Sequence, residues 1–211
     1  MVAAGLLDGQ KIGGRWFIKL DAIRRRERWG AADGRHLRPE NAWAILALAS
    51  GVAPDWVSRD DARRLTRLLD DRGILGLAPR LGSRARTQRF YGHPGTLQRL
   101  AAVPEIRLTG ISAARSNGLG IVGGQAVDAY IAANAFDDLI MRFALEPRGE
   151  TGNVSLRAVP AELDFRADTP TPLAAVALDL AEETDPRSAE VGTQALTATD
   201  EDRPWRRIEP G

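Results

Sequence analysis

The sequence predicts a mixed α/β fold (α+β in type), and three observations support this prediction. Short alternating or apolar runs typical of strands recur along the 211 residues. Segments with helical periodicity and recognisable first residues lie between these runs. Hydrophobic residues make up 44% and charged residues 27% of the chain, which is ordinary for a folded protein. We therefore expect strands and helices in alternation, in one large or two small domains.

The N-terminal region is expected to begin with a β-hairpin. Residues 10–18 form two strand-like runs around Gly13 and Gly14, and glycine at both central positions permits the positive φ angles of a two-residue turn. Asp21 follows as the expected cap of a helix over residues 22–28. A hairpin followed directly by an arginine-rich helix is therefore predicted here.

Two further helices are predicted before residue 80. Pro39 fits the first turn of a helix with a broad apolar stripe, which Gly51 ends. Ser58 starts a sequence similar to a capping box, and the helix that it begins is expected to end at Gly73.

The C-terminal half is expected to be a compact α/β unit. We predict four strands, over residues 106–109, 120–124, 126–131 and 153–159. We predict four helices, which begin at Ser112, Asn134, Pro172 and Asp185. The last of them is expected to end near Ala198, which leaves a polar and mobile tail in which only Trp205 could dock.

Charge is divided unevenly along the chain, although the formal net charge is only +1. Residues 1–100 contain 19 Lys/Arg against 10 Asp/Glu, whereas residues 101–211 contain 10 against 18. The halves therefore carry +9 and −8. A basic half attached to an acidic half indicates two tasks, with nucleic acid as the first polyanion to consider. The alternative is two solvated surfaces of opposite sign that serve only solubility.

A second basic run follows the predicted helices. Four arginines, with Phe90 and Tyr91 directly after them, are candidates for a secondary nucleic-acid patch: Arg80, Arg84, Arg86 and Arg89. The alternative, which the pattern favours, is a solvated loop that leads into a strand with core aromatics.

Several classes of site are excluded or disfavoured. The chain has no cysteine, which excludes disulfides, thiolate chemistry and Cys-based zinc sites. Neither His36 nor His93 has a partner four residues away, as a metal-binding helix would provide. No segment assembles a nucleophile, a base and an oxyanion donor, so we expect no enzyme and no cofactor. The longest apolar stretch, residues 42–49, is too short for a bilayer, and we expect a cytoplasmic protein with no membrane partner.

The chain resembles a known family in several short motifs. Residues 2–18 resemble the latter half of an excisionase/MerR-type helix-turn-helix module, with a wing at residues 11–15 and a closing helix from Leu20. Five further stretches resemble actinobacterial helix-turn-helix proteins of the AbiEi antitoxin type: residues 37–51, 108–114, 127–131, 153–160 and 185–188.

The resemblance implies a transcriptional autorepressor and antitoxin, because members of this type are usually encoded beside a nucleotidyltransferase toxin. It implies a winged N-terminus on double-stranded promoter DNA. The sequence departs from the family pattern in lacking the first helix and most of the recognition helix, so we expect a truncated DNA-reading element. The resemblance divides the chain into a partial winged helix (1–30), a helical linker (31–100), an antitoxin-like α/β domain (101–198) and a tail (199–211). The DNA-contacting residues would be Lys11, Gly13, Gly14, Arg15, Lys19, Arg24, Arg25, Arg26 and Arg28.

Two other functions stay open. A protein-interaction module could neutralise a basic partner through its acidic half without specific DNA binding. A nucleic-acid-processing enzyme, either a nuclease or a nucleotidyltransferase, is the third. The sequence does not decide between a monomer and a homodimer.

Overall fold

The computed structural model describes residues 9–13, 15–18, 20–121, 124–160, 163 and 168–208. Backbone alone is described for residues 9–12, 15–18, 20–22, 24 and 150. The chain forms two units: the first unit is Met1–Arg84 with Thr199–Gly211, and the second unit is Ala85–Ala198. Mixed α/β content is confirmed. The boundary between the units follows Arg84, and not residue 100 as the sequence predicts.

The first unit begins with the predicted hairpin and continues with helices. Its elements are β1 (Gly9–Ile12), β2 (Arg15–Ile18), α1 (Leu20–Trp29), α2 (Pro39–Leu48) and α3 (Arg59–Leu77). The two strands are antiparallel, with Ile12 opposite Arg15 across the turn, and Gly13 has a φ of +55°. The helix α1 begins at Leu20, so Asp21 lies inside its first turn and is not its cap.

Helices α2 and α3 follow the local signals in the sequence. Pro39 occupies the first turn of α2, whose residues from 42 onward are buried. The Ser58 hydroxyl accepts a hydrogen bond from the Asp61 N–H at 3.1 Å and so caps α3. At Gly73 the helix breaks, with φ +66°, but it then resumes as far as Leu77. The predicted stop is therefore a kink.

The C-terminal segment belongs to the first unit. The last helix, α8 (Pro186–Asp202), runs four residues beyond the predicted end. The side chain of Asp200 accepts hydrogen bonds from the N–H groups of Ile74 (2.5 Å) and Leu75 (3.2 Å), directly after the kink. Trp205 is only 2% exposed. Its indole N–H donates to Asp70 at 3.0 Å, so the polar tail is anchored.

The second unit is built on a five-stranded mixed sheet. The strands are β3 (Arg86–Tyr91), β4 (Ile106–Leu108), β5 (Val127–Ala132), β6 (Glu146–Pro147) and β7 (Val154–Val159). Their order is β4-β5-β7-β3-β6, in which β5 and β7 are parallel and all other pairs antiparallel. The other helices are α4 (Pro94–Ala101), α5 (Gly110–Ala114), α6 (Phe136–Arg142) and α7 (Leu173–Ala181).

The two central strands separate apolar from polar side chains. Alternate residues of β5 and β7 join an apolar core that also contains Phe90, Leu97, Phe136 and Leu139. The residues between them, including Asp128 and Arg157, are nevertheless buried as well. Both sides of these strands are therefore covered, although the alternating sequence is typical of a half-exposed sheet.

Some predicted elements of the second unit differ from the observed ones. Residues 120, 121 and 124, all described, are not in a strand. Ser112 lies within α5, which Thr109 precedes, and Asn134 lies in a 3₁₀ turn before α6. The helix α4 was not expected, and the His93 side chain accepts a hydrogen bond from the Gly95 N–H at its start.

Candidate functional site

The expected DNA-contacting residues lie on the hairpin and on α1. Lys11 lies in β1 opposite Trp16, and Arg15 begins β2 directly after the turn. Gly13 forms the turn in a left-handed conformation and is exposed. A left-handed residue at this point matches the twist of a two-residue hairpin, which glycine adopts without steric cost. Gly14 and Lys19 lie outside the described residues.

The arginines of α1 differ in how accessible they are. For Arg24 the structure describes the backbone alone. Arg25 and Arg26 are half-buried, and Arg28 is exposed. The guanidinium of Arg25 lies so close to Gly82 that a side chain at that glycine would collide with it. The guanidinium of Arg25 therefore packs against residues of its own unit. Among the described α1 arginines, Arg28 is the most accessible to a phosphate.

The secondary arginine patch predicted at residues 80–89 is divided between the two units, and Arg86 alone of its four arginines is exposed. Arg84 is only 2% exposed, and one of its guanidinium nitrogens donates to the Leu81 carbonyl at 3.3 Å. Arg80 donates to the Arg35 carbonyl at 2.9 Å, and burial lowers its pKa, as does the nearby Arg72.

The other two arginines of this run belong to the second unit, and both have intramolecular partners. Arg86 stacks over the ring of Phe136, 5.4 Å from its centroid. Arg89 forms a 2.8 Å ion pair with Glu183. The expectation of one nucleic-acid patch is therefore corrected: Arg84 and Arg89 serve the interior of their own units.

A cluster of buried charges lies in the second unit, and sequence reasoning missed it. Arg157, on β7, is only 4% exposed. Its guanidinium donates to both carboxylate oxygens of Asp128, on β5, each at 3.0 Å. Asp179, on α7, lies 3.4 Å from the same guanidinium, and Glu183 lies 3.6 Å from it. These four side chains, together with Arg89, are called the buried charge cluster below.

Hydroxyl groups complete the hydrogen bonding of the buried charge cluster. Thr109 donates to Asp179 at 2.6 Å, and Arg157 donates to Thr87 at 3.2 Å. The Ser112 hydroxyl accepts from the Asp128 N–H at 2.8 Å. A buried charge is tolerated only when it is paired and hydrogen-bonded, and these contacts meet that requirement.

The carboxylates compete for the guanidinium groups. The pKa of Asp128 is raised to about 6, chiefly by burial; the charge of Arg157 opposes this shift, and the charges of Asp179 and Glu183 add to it. The pKa of Arg157 is held well above its usual value, because the attraction of Asp128 and Asp179 outweighs the effect of burial. Three carboxylates face two guanidinium groups, and this excess of negative charge adds to the effect of burial on the pKa of Asp128.

The cluster joins three elements of the second unit. Its polar atoms bond one another, and together they connect β5, β7 and α7. Within the described ranges, no group of three His, Asp or Glu side chains is placed to hold a metal ion. Alternation in residues 153–159 signals a polar face, but only the position of α7 reveals that the face is buried.

No protein-family model, characterised protein or solved structure matches this chain. Among the helices in the described part of the chain, none is long and apolar enough to cross a membrane.

Proposed function

We propose that the protein is a DNA-binding transcriptional autorepressor and antitoxin that counteracts a nucleotidyltransferase-type toxin. The observation that carries the proposal is the β1–β2 hairpin, closed at Gly13 and followed after one residue by α1. A short hairpin beside an arginine-rich helix suits the phosphate backbone, because wings contact phosphates or the minor groove.

The charge of the two units supports this assignment. The first unit has 19 Lys/Arg against 14 Asp/Glu, a net charge of +5, and the second has 10 against 14, a net charge of −4. DNA affinity arises largely from basic side chains that displace counterions. We therefore assign promoter DNA to the first unit and the antitoxic role to the second.

DNA binding is tested by fluorescence anisotropy over a range of salt concentrations. The probes are the duplex upstream of the protein's own coding sequence and an unrelated duplex of equal length. Arg15→Ala and Arg28→Ala should each weaken binding and reduce the salt slope by about 1. Arg99→Ala, an exposed arginine of the second unit, is the matched control. Equal binding by the parent and both variants would contradict the assignment.

The antitoxin role predicts a nucleotidyltransferase gene beside this one, and co-expression with its product tests the role separately. Growth should be restored by the parent protein and by Arg15→Ala, since neutralisation is assigned to the second unit. Failure of the parent to restore growth would remove the antitoxin role and leave the DNA-binding role intact.

A further inference from the structure

A cleft of about 690 Å³ lies in the first unit, apart from the hairpin. One wall is α3, and the others are the segment between α2 and α3 and the C-terminal residues around Trp205. A volume in this range is typical of sites that bury a ligand or a protruding side chain. Neither the hairpin nor the buried charge cluster uses this cleft.

Arginines line one wall of the cleft at regular spacing. Arg59, Arg63 and Arg67 follow one another at intervals of four residues, which places them on one face of α3, about 6 Å apart along its axis. Arg206 is a fourth arginine, and Asp55 is the acidic residue of the lining. The cleft is therefore strongly basic.

Arg206 is engaged by Asp70 at 2.7 Å, whereas the three arginines of α3 are available to an outside anion. Arg63 pairs with Asp60 at 3.2 Å, but both side chains are exposed, and such pairs contribute little. Arg67 donates only to the Arg63 carbonyl, at 3.4 Å, and Arg59 is exposed without an ion pair to any residue that the structure describes.

The uncharged part of the cleft lining is mainly apolar and is called the apolar floor below. It includes Leu48 and Trp205, which are buried, and Val57 and Ile208, which are half-buried. The segment that forms one wall also exposes bulky apolar side chains: Val52 is 50% exposed and Trp56 is 45% exposed. Exposed apolar surface beside a cleft is typical of a protein-interaction site.

We propose that this cleft is a docking site for a partner protein, which inserts an acidic segment that carries a bulky apolar side chain. The arginines would receive the carboxylates, and the floor would receive the apolar side chain. A duplex backbone fits less well, because phosphates gain nothing from an apolar floor. The proposal goes beyond the proposed function: it gives the first unit a protein partner other than the toxin, whose neutralisation is assigned to the second unit.

The proposal is tested on the full-length chain with a fluorescein-labelled peptide in which acidic residues surround adjacent leucine and phenylalanine. The same peptide with amides in place of its carboxylates is the charge control. Anisotropy should show saturable binding of the acidic peptide that is at least about tenfold tighter than that of the amide peptide. Equal affinity for both peptides would overturn the assignment of the arginines.

Variants then locate the site. The double variant Arg59→Glu with Arg67→Glu should weaken peptide binding by at least about tenfold, whereas Arg99→Glu with Arg142→Glu should leave it unchanged. Ala62→Trp, on the same face of α3, should weaken binding by filling the cleft without a change in charge. If both cleft variants bind within about twofold of the parent, the site is not this cleft.

An unlabelled duplex separates a protein partner from nucleic acid. The peptide should remain bound when an unrelated duplex is added at moderate salt. The proposal would be overturned in favour of a nucleic-acid surface by two results together. The duplex would displace the peptide, and the Arg59→Glu and Arg67→Glu double variant would lose as much affinity for the duplex as for the peptide. The promoter assay on Arg15→Ala is independent of this result.

Discussion

The arginines of α3 in the first unit and Arg157 in the second unit lie in opposite environments. In the first unit Arg63 and Arg64 lie on the surface of α3, each paired with an exposed aspartate three residues before it. In the second unit Arg157 is buried with three carboxylates around it. The comparison teaches that charge counted along a sequence is not charge presented to a partner.

The same comparison changes the meaning of the charge division. The halves of the sequence carry +9 and −8, whereas the structural units carry +5 and −4. The difference arises because the basic stretch at residues 85–100 belongs to the second unit and the tail to the first. Part of the remaining charge of the second unit, including Asp128 and Arg157, is buried and presents nothing to solvent.

The largest effect is expected from Arg157→Ala. Removal of one partner from a buried ion pair leaves uncompensated buried charge, and we expect a loss of about 3–5 kcal/mol in the free energy of unfolding. Arg148→Ala is the matched control, since it removes an exposed pair with Glu146 in the same unit and should cost less than about 1 kcal/mol. Denaturant unfolding measures the loss of stability in each variant. Similar losses would show that the buried charge cluster contributes no more to stability than an exposed ion pair.

Asp128→Asn tests the balance of charge in the cluster. The pKa of Asp128 is about 6 in the folded protein, above its unfolded value, so its stabilising contribution is complete below about pH 4 and is lost as the pH rises through 6. The variant lacks this contribution. Its stability relative to the parent should therefore improve by about 2 kcal/mol between about pH 4.5 and 7.5.

Urea unfolding at both pH values measures this change. Asp138→Asn, an exposed position on α6, controls for the loss of a carboxylate as such. A difference between Asp128→Asn and the parent that does not vary with pH would contradict the assignment of the raised pKa to Asp128.

Asp200→Ala probes the kink in the first unit. Its carboxylate accepts from two backbone N–H groups after Gly73, and the loss of such a cap costs about 1–2 kcal/mol. Asp202→Ala, two residues later on the same helix, removes only an exposed pair with Arg207 and should cost less than about 1 kcal/mol. Thermal unfolding compares the two, and an equal effect would mean that the kink does not depend on its cap.

Local signals predicted much of the first unit. The Gly13 turn, Pro39 at a helix start and Ser58 as a cap each depend on neighbouring residues, and each was found. Asp200 was missed because it caps a helix break 126 residues away in sequence from Ile74. No local pattern encodes such a contact.

In the second unit, periodicity predicted the strands but not their environment. Residues 153–159 alternate in sequence, and β7 is found there, yet all six of its residues are buried. The alternation of apolar and polar residues does not indicate that α7 covers the polar side of the strand. For the same reason, the sequence predicts that Arg84 and Arg89 are surface charges. In the fold, both bind partners within their own units and are not free to form a nucleic-acid patch.

The smallest effect on stability is expected from Arg63→Ala. Its pair with Asp60 is exposed and separated by three residues on α3, and such pairs contribute about 0.2–0.5 kcal/mol. Unfolding should therefore detect almost no change, whereas binding of the acidic peptide should weaken, because Arg63 lines the cleft. The loss of a surface arginine that contacts a partner weakens binding of that partner and leaves the stability of the free protein unchanged. A loss of stability as large as that of Arg157→Ala would erase the distinction between the surface arginine and the buried one.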